Sequence, residues 1–142
     1  VSDTLIVVGA AIVRDHRVLA AQRAAPEALR GRWEFPGGKV DGGESPAEAL
    51  TRECKEELGV TVRPLRRVGT ESPFLAARDG HTRPAVFQLW RAELVEGEPE
   101  ALEHLSLRWV RGDEFADLDW LPVDVPFLEP LTTLLTAPGQ PF

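Results

Sequence analysis

Three glutamates, Glu53, Glu56 and Glu57, stand at positions i, i+3 and i+4 of an apolar-periodic stretch. At 100° per residue this spacing puts all three carboxylates on one face of a helix. Leu50, Cys54 and Leu58 repeat at i, i+4 and i+8 and form an apolar stripe about a third of a turn away. The helix therefore buries one stripe and holds its acids at the margin of the packing. Like charges within one helical turn repel by a few tenths of a kcal/mol per pair in water, and by more where water is excluded. Arg52 and Lys55 lie off the centre of that face and do not cancel the repulsion fully. Two arrangements resolve it: a solvated acidic face, or a hard divalent cation, which takes oxygen ligands and leaves positions for water and substrate phosphates. Upstream, Phe35-Pro-Gly-Gly-Lys39 is a turn whose glycines admit a close ligand approach, and Lys39 adds a point charge suited to phosphate.

The elements that must position these groups are legible in outline. Leu5–Val13 is rich in β-branched residues and reads as a strand covered on both faces; Arg14–Arg17 is a polar turn and Val18–Gln22 its hairpin partner. Residues 24–33 are irregular, broken by Pro26 and Gly31, and Glu34-Phe35 reads as a short strand. Ser45, Pro46 and Glu48 form a capping box with proline at the first helical position, and Gly59 ends the helix near Leu58. Alternating stretches at 62–76 and 85–94 predict a long antiparallel pair, 105–110 another strand, and 125–135 a closing helix; residues 137–142 read as a loose tail. The pattern predicts an α+β, layered α/β/α domain.

Composition narrows the chemistry. The 142 residues are 43% hydrophobic and 27% charged, ordinary globular values, and fit one domain over 1–142. A net charge of −7 matches a nucleic-acid polymer poorly, and an acidic chain that binds phosphate needs local cations to do so. The lone Cys54 permits no internal disulfide, and the longest apolar run, nine residues interrupted by Gly9, is too short to span a membrane. The expectation is a soluble, cytoplasmic monomer or homodimer without membrane contact.

The stretch Gly38-x5-Glu44-x7-Arg52-Glu53-Cys54-Lys55-Glu56-Glu57-Leu58-Gly59-Val60 resembles the signature of the Nudix hydrolases at each charged and glycine position, with Cys54 where the family carries Ile, Leu or Val. Cysteine packs as a small hydrophobe, so the buried role survives. The motif spans 38–60; Gln22-Arg23, Trp33–Lys39, Glu103-His104 and Leu121–Asp124 extend the likeness to the MutT-like branch. The resemblance implies an α/β/α sandwich, a mixed sheet between a catalytic helix and a C-terminal helix. It also implies Mg2+-dependent hydrolysis (Mn2+ as substitute) of a nucleoside triphosphate to monophosphate and pyrophosphate. It assigns Glu53, Glu56 and Glu57 as catalytic metal ligands with the Gly37 carbonyl, Glu44 and Arg52 as an ion pair orienting them, and Arg23 and Lys39 to phosphate. Glu103 is the further carboxylate, as ligand, base or both, with Glu53 the alternative base and Glu96, Glu98 and Glu100 competing loop acids. His16, His81 and His104 read as structural or exposed.

For base choice, the likeness points to Asp124, where relatives specific for oxidised guanine carry asparagine. An ionised Asp only accepts, which suits the cytosine amino group. The expected preference is CTP, dCTP or 5-substituted cytosine nucleotides, as in the CTP pyrophosphohydrolase subgroup. The alternatives are an 8-oxo-dGTP diphosphatase, an ADP-ribose or dinucleoside polyphosphate hydrolase, and a non-catalytic nucleotide-binding module. The last would be expected to lose motif carboxylates, and none is missing. Asp124 also reads as a helix N-cap, and Phe35, with Trp33, as a base-stacking group or a core aromatic.

Overall fold

The computed structural model describes residues 4–78 and 80–136, with the side chain of residue 78 outside the description. The expected tail at 137–142 lies outside the described residues. The strands are β1 (Leu5–Arg14), β2 (Arg17–Gln22), β3 (Trp33–Glu34), β4 (Gly37–Lys39), β5 (Thr61–Arg78), β6 (His81–Glu96) and β7 (Ser106–Val110); the helices are α1 (Pro46–Leu58) and α2 (Leu128–Thr136). β1 is the hub of one mixed sheet. It runs parallel to β6 and antiparallel to β2 and β4, while β5 pairs β6, and β3 and β7 pair β2, all antiparallel.

β1 shows why both faces must be covered. Val8, Ala10 and Ile12 pack with Leu50, Cys54 and Leu58 of α1, whereas the intervening Ala11 packs with Phe127, Leu131 and Leu135 at the C-terminal end. A period of two in the strand thus feeds two separate cores, one under each helix. The α/β/α sandwich expected from the sequence is the observed architecture.

Local chemistry sets the ends of α1. The Ser45 hydroxyl accepts from the Glu48 amide at 3.1 Å and the Glu48 carboxylate accepts from the Ser45 amide at 2.8 Å, while Gly59 takes the left-handed conformation at φ 71°. Asp15 and His16, both at positive φ, form the tight β1–β2 turn.

Three expectations need correction. The closing helix is split: Val125–Phe127 is a 3-10 turn and α2 begins at Leu128. Pro126 and Pro130 lack amide protons and sit only in first-turn positions of the two pieces. The short strand is Trp33–Glu34, and Phe35 leaves it to enter the core. The β5–β6 ribbon is longer than expected, and its register shifts three times along β5, once between Pro64 and Arg67; β5 pairs only β6, so an edge position and bulges accommodate the prolines.

Candidate active site

α1 lies across β4, and the two glycines of β4 are each closely approached, Gly38 by α1 and Gly37 by β1. A Cβ at Gly38 would collide with the Glu53 carboxylate, and one at Gly37 with the Val8 carbonyl of β1. The cleft beside this crossing is a cavity of about 500 Å3 lined by Glu53, Glu57, Glu103, Arg23, Lys39 and His104, among others. Glu57 is only 5% exposed, and its Oε2 meets no hydrogen-bond partner among the described residues. Burial first, then the charges of Glu34, Glu53 and Glu103, push its carboxyl up to about 9, against a lowering contact from the Gly37 amide. Glu53 is pushed up to about 7, chiefly by burial, with Arg52 opposing and Glu56 and Glu103 adding to the rise.

An orphaned carboxylate oxygen, buried beside two further acids, is a donor set that a divalent cation would complete, and these residues fit one. The Glu34, Glu57 and His104 donor atoms also lie within 4.8 Å of one another and could share in holding it. Glu56 stands apart. It is exposed, does not line the cavity, and lies 3.4 Å from Arg52.

Arg52 reaches further than its helical position suggested. It grips Glu44 through two bonds of 2.7 and 2.9 Å, donates to the Lys39 carbonyl at 3.1 Å, and stands 3.7 Å from Glu53. The guanidinium draws Glu44 down to about 2. The expected ion pair is formed, and it ties α1 to the loop and strand before it, so Arg52 offsets part of the repulsion at Glu53 and Glu56 but not at buried Glu57.

His104, expected to be structural or exposed, is buried. Its side chain is 5% exposed, with Nε2 2.9 Å from Glu34 Oε2 and 3.6 Å from Glu57 Oε1. Arg23 donates to the other Glu34 oxygen at 2.9 Å. Glu34 itself was missed as a site residue. Seventy positions separate it from His104, so no periodicity could pair them; only the family-like flanking segments contained both. His16 is structural, its Nδ1 3.1 Å from the Leu135 carbonyl, and His81 is exposed.

A second cavity of about 270 Å3 adjoins the first and shares Arg23, Glu34, Gly37, Gly38 and Lys39 with it. Its remaining lining is largely apolar, with Phe35, Phe74, Phe87, Leu121 and Val123 around Asp124. Phe35 packs on Trp120, ring centroids 4.9 Å apart, as the core reading expected, and also lines this space. Trp33 packs on the same core but is not among the lining residues, so the structure separates it from Phe35. Phe74 and Ala76, brought over the cavity by β5, were not anticipated.

Asp124 does not cap. Its side chain makes no cap hydrogen bond, it is 1% exposed, and neither carboxylate oxygen has a partner among the described residues. Burial, with Glu34 adding, raises its pKa well above the ordinary aspartate value; the Phe35 amide and Arg23 oppose the rise without reaching hydrogen-bond geometry. Burial in this largely apolar lining favours the neutral acid over the ionised acceptor expected from the sequence.

A sandwich of this topology with an acid-lined cleft over a Gly-Gly turn defines a class, and the comparisons agree. The NUDIX domain model matches residues 3–133, and the chain belongs to the Nudix hydrolase family. A protein from two strains of Mycobacterium tuberculosis, provisionally named 8-oxo-dGTP diphosphatase 2, is 44% identical over 93% of this chain and 91% of its own length. The CTP pyrophosphohydrolase of Escherichia coli K12 is 36% identical over 92% and 93% respectively. Among solved structures, a MutT Nudix hydrolase from Burkholderia pseudomallei superposes with a TM-score of 0.69 at 32% identity, covering 92% of this chain and 97% of that one. Family members use divalent metals and act on small nucleotide substrates, and no helix among the described residues is long and apolar enough to cross a membrane.

Proposed function

We propose that the protein is a Mg2+-dependent nucleoside triphosphate pyrophosphohydrolase that releases the monophosphate and pyrophosphate and prefers cytosine nucleotides. One observation carries the reading: an acid-lined cavity and an apolar cavity ending in a buried acid share five lining residues. A polyphosphate and its base could occupy the two at once.

Glu53, Glu57 and Glu103 would hold magnesium, or manganese in its place, with Glu56 at the rim and the Gly37 carbonyl as a further oxygen. When bound, the ion supplies charge neutralisation and Lewis-acid polarisation of the phosphates. Arg23 and Lys39, which line both cavities, add positive charge along the phosphate chain. Glu103, exposed at the cavity wall, takes the proton of the attacking water, with Glu53 the alternative base. Water adds to phosphorus in line with the departing oxygen, and pyrophosphate leaves. Glu44 and Arg52 keep the α1 carboxylates in place.

In its neutral form Asp124 offers one acceptor and one donor. That pair suits the cytosine edge, whose amino group donates and whose ring nitrogen N3 accepts. Cytosine then leaves a single exocyclic oxygen unmatched in a mainly apolar space, where a buried unpaired polar group costs about 1–3 kcal/mol. Oxidised guanine forms the second reading, because its N7–H and O6 also set a donor beside an acceptor and the 44% identical relative carries that name. It leaves more polar groups unmatched. Pyrophosphate release from a panel of triphosphates with Mg2+ tests the choice: dCTP is expected to lead, and a tenfold higher kcat/KM for 8-oxo-dGTP would transfer the assignment.

A further inference from the structure

The loop carrying Glu103 is stapled on both sides. The Leu102 amide donates to the Glu57 carbonyl at 3.3 Å, at the end of α1, and the Leu105 amide to the Gln22 carbonyl at 2.8 Å, at the end of β2. Between these anchors the His104 ring passes inward and meets Glu34 on β3. The two Glu34 oxygens are divided, one accepting from Arg23 and the other from His104, each at 2.9 Å. The same His104 nitrogen lies 3.6 Å from Glu57 Oε1, while Glu57 Oε2 is left without a partner and Nδ1 of the ring likewise has none among the described residues. With Nδ1 facing no acceptor, the proton is assigned to Nε2, the nitrogen that faces both carboxylates.

We infer that the His104–Glu34 hydrogen bond is a latch that sets the loop acid Glu103 and the helix acid Glu57 into the polar cavity, which makes His104 a positioning residue for the hydrolysis proposed above. The inference rests on that reading for its catalytic consequence but not for its geometry. The imidazole N–H steadies Glu34 directly and lies 3.6 Å from Glu57 Oε1, beyond hydrogen-bond reach, while Glu57 Oε2, the oxygen without a partner among the described residues, is the one open to a cation. Because Glu103 precedes His104, the depth to which the ring inserts also determines where the Glu103 backbone crosses the cavity wall. Partners that orient ligands in this manner are worth about 10–100-fold in metal affinity or activity.

The test compares His104→Leu, which removes the donor, with His104→Gln, whose terminal amide can replace Nε2–H. Two readouts are taken: kcat and KM on the best triphosphate, and Mn2+ binding to the substrate-free protein followed by electron paramagnetic resonance. His104→Leu is expected to lower kcat about 20-fold or more with KM within threefold, and to weaken Mn2+ about tenfold; His104→Gln recovers both to within about fivefold of wild type. The latch is overturned if His104→Leu matches wild type, if His104→Gln is as impaired as His104→Leu, or if wild-type Mn2+ shows an imidazole nitrogen coupling that His104→Gln abolishes, since His104 would then be a ligand itself. Should His104→Leu fail to fold by circular dichroism, Glu34→Gln, which cannot accept from both donors, takes its place with an expected kcat loss of about tenfold; wild-type values in it overturn the latch. A wild-type enzyme inactive on every triphosphate would remove the hydrolysis reading alone, because the Mn2+ titration still reports on the latch.

Discussion

The two adjoining cavities are built by opposite means. Two of the five acids lining the polar one, Glu53 and Glu57, come from one turn of α1, and Glu34, Gly37, Gly38, Lys39 and Asp41 lie just upstream, so the stretch from 34 to 57 carries most of its chemistry. The apolar one draws on six separated stretches: the start of β1, Arg23, the segment around Phe35, Phe74 and Ala76 of β5, Phe87 of β6, and the Leu121–Asp124 turn. Even their carboxyl groups differ. Glu57 is buried among other acids and basic neighbours, whereas Asp124 is buried among aromatic and aliphatic side chains. The first arrangement attracts a cation, and the second favours a neutral acid that both donates and accepts. In the proposed function one cavity does the chemistry and the other selects the base.

That division can be broken experimentally. The largest effect is expected for Glu57→Gln, which keeps the shape and removes a charge. Loss of several kcal/mol of electrostatic stabilisation corresponds to a drop in kcat of about 100–1000-fold on every base alike. Steady-state kinetics on dCTP and dGTP would show it, and unchanged turnover would detach Glu57 from the chemistry. Next comes Asp124→Ala, expected to lower kcat/KM for dCTP about 10–100-fold while affecting other bases less. Asp124→Asn sharpens the point, since an amide also offers one donor and one acceptor and should stay within about fivefold of wild type. If asparagine is as damaging as alanine on dCTP, Asp124 works as an ionised acceptor.

The polar cavity also predicts a pH dependence of stability. The Glu57 carboxyl rises from 4.5 to about 9 on folding and Glu53 from 4.5 to about 7, so the native protein retains protons that the unfolded chain releases. The metal-free protein should then lose stability as pH rises from about 4.5, with the Glu53 contribution spent by about 7 and the Glu57 contribution by about 9. Differential scanning calorimetry should find a lower Tm at pH 9 than at pH 5, a shallower slope in Glu57→Gln, and recovery at high pH on adding Mg2+. The smallest change is expected for Ser45→Ala, which removes the α1 cap and costs about 1 kcal/mol in denaturant unfolding, with selectivity among bases unaltered.

Sequence alone was enough for the extent and the ends of α1. Its caps, its stop at Gly59 and its acid face follow from contacts within four residues, so spacing along the chain carries the information. The two-sided packing of β1 was visible for the same reason, as a run of apolar residues too continuous for a half-exposed strand. Beyond these short ranges the reading failed in identifiable ways. The places of His104, Glu34 and Phe74 beside the cavities are not legible in the sequence, because each depends on a partner distant in the chain. Residue type alone suggests a charged Asp124, whereas its burial in the fold favours the neutral form. Residue type and local spacing determined the helix, its ends and the face on which its three glutamates stand. Only the tertiary structure decided which distant residues face one another and which acids are buried, because those outcomes depend on long-range packing and local dielectric, neither of which has a period in the sequence.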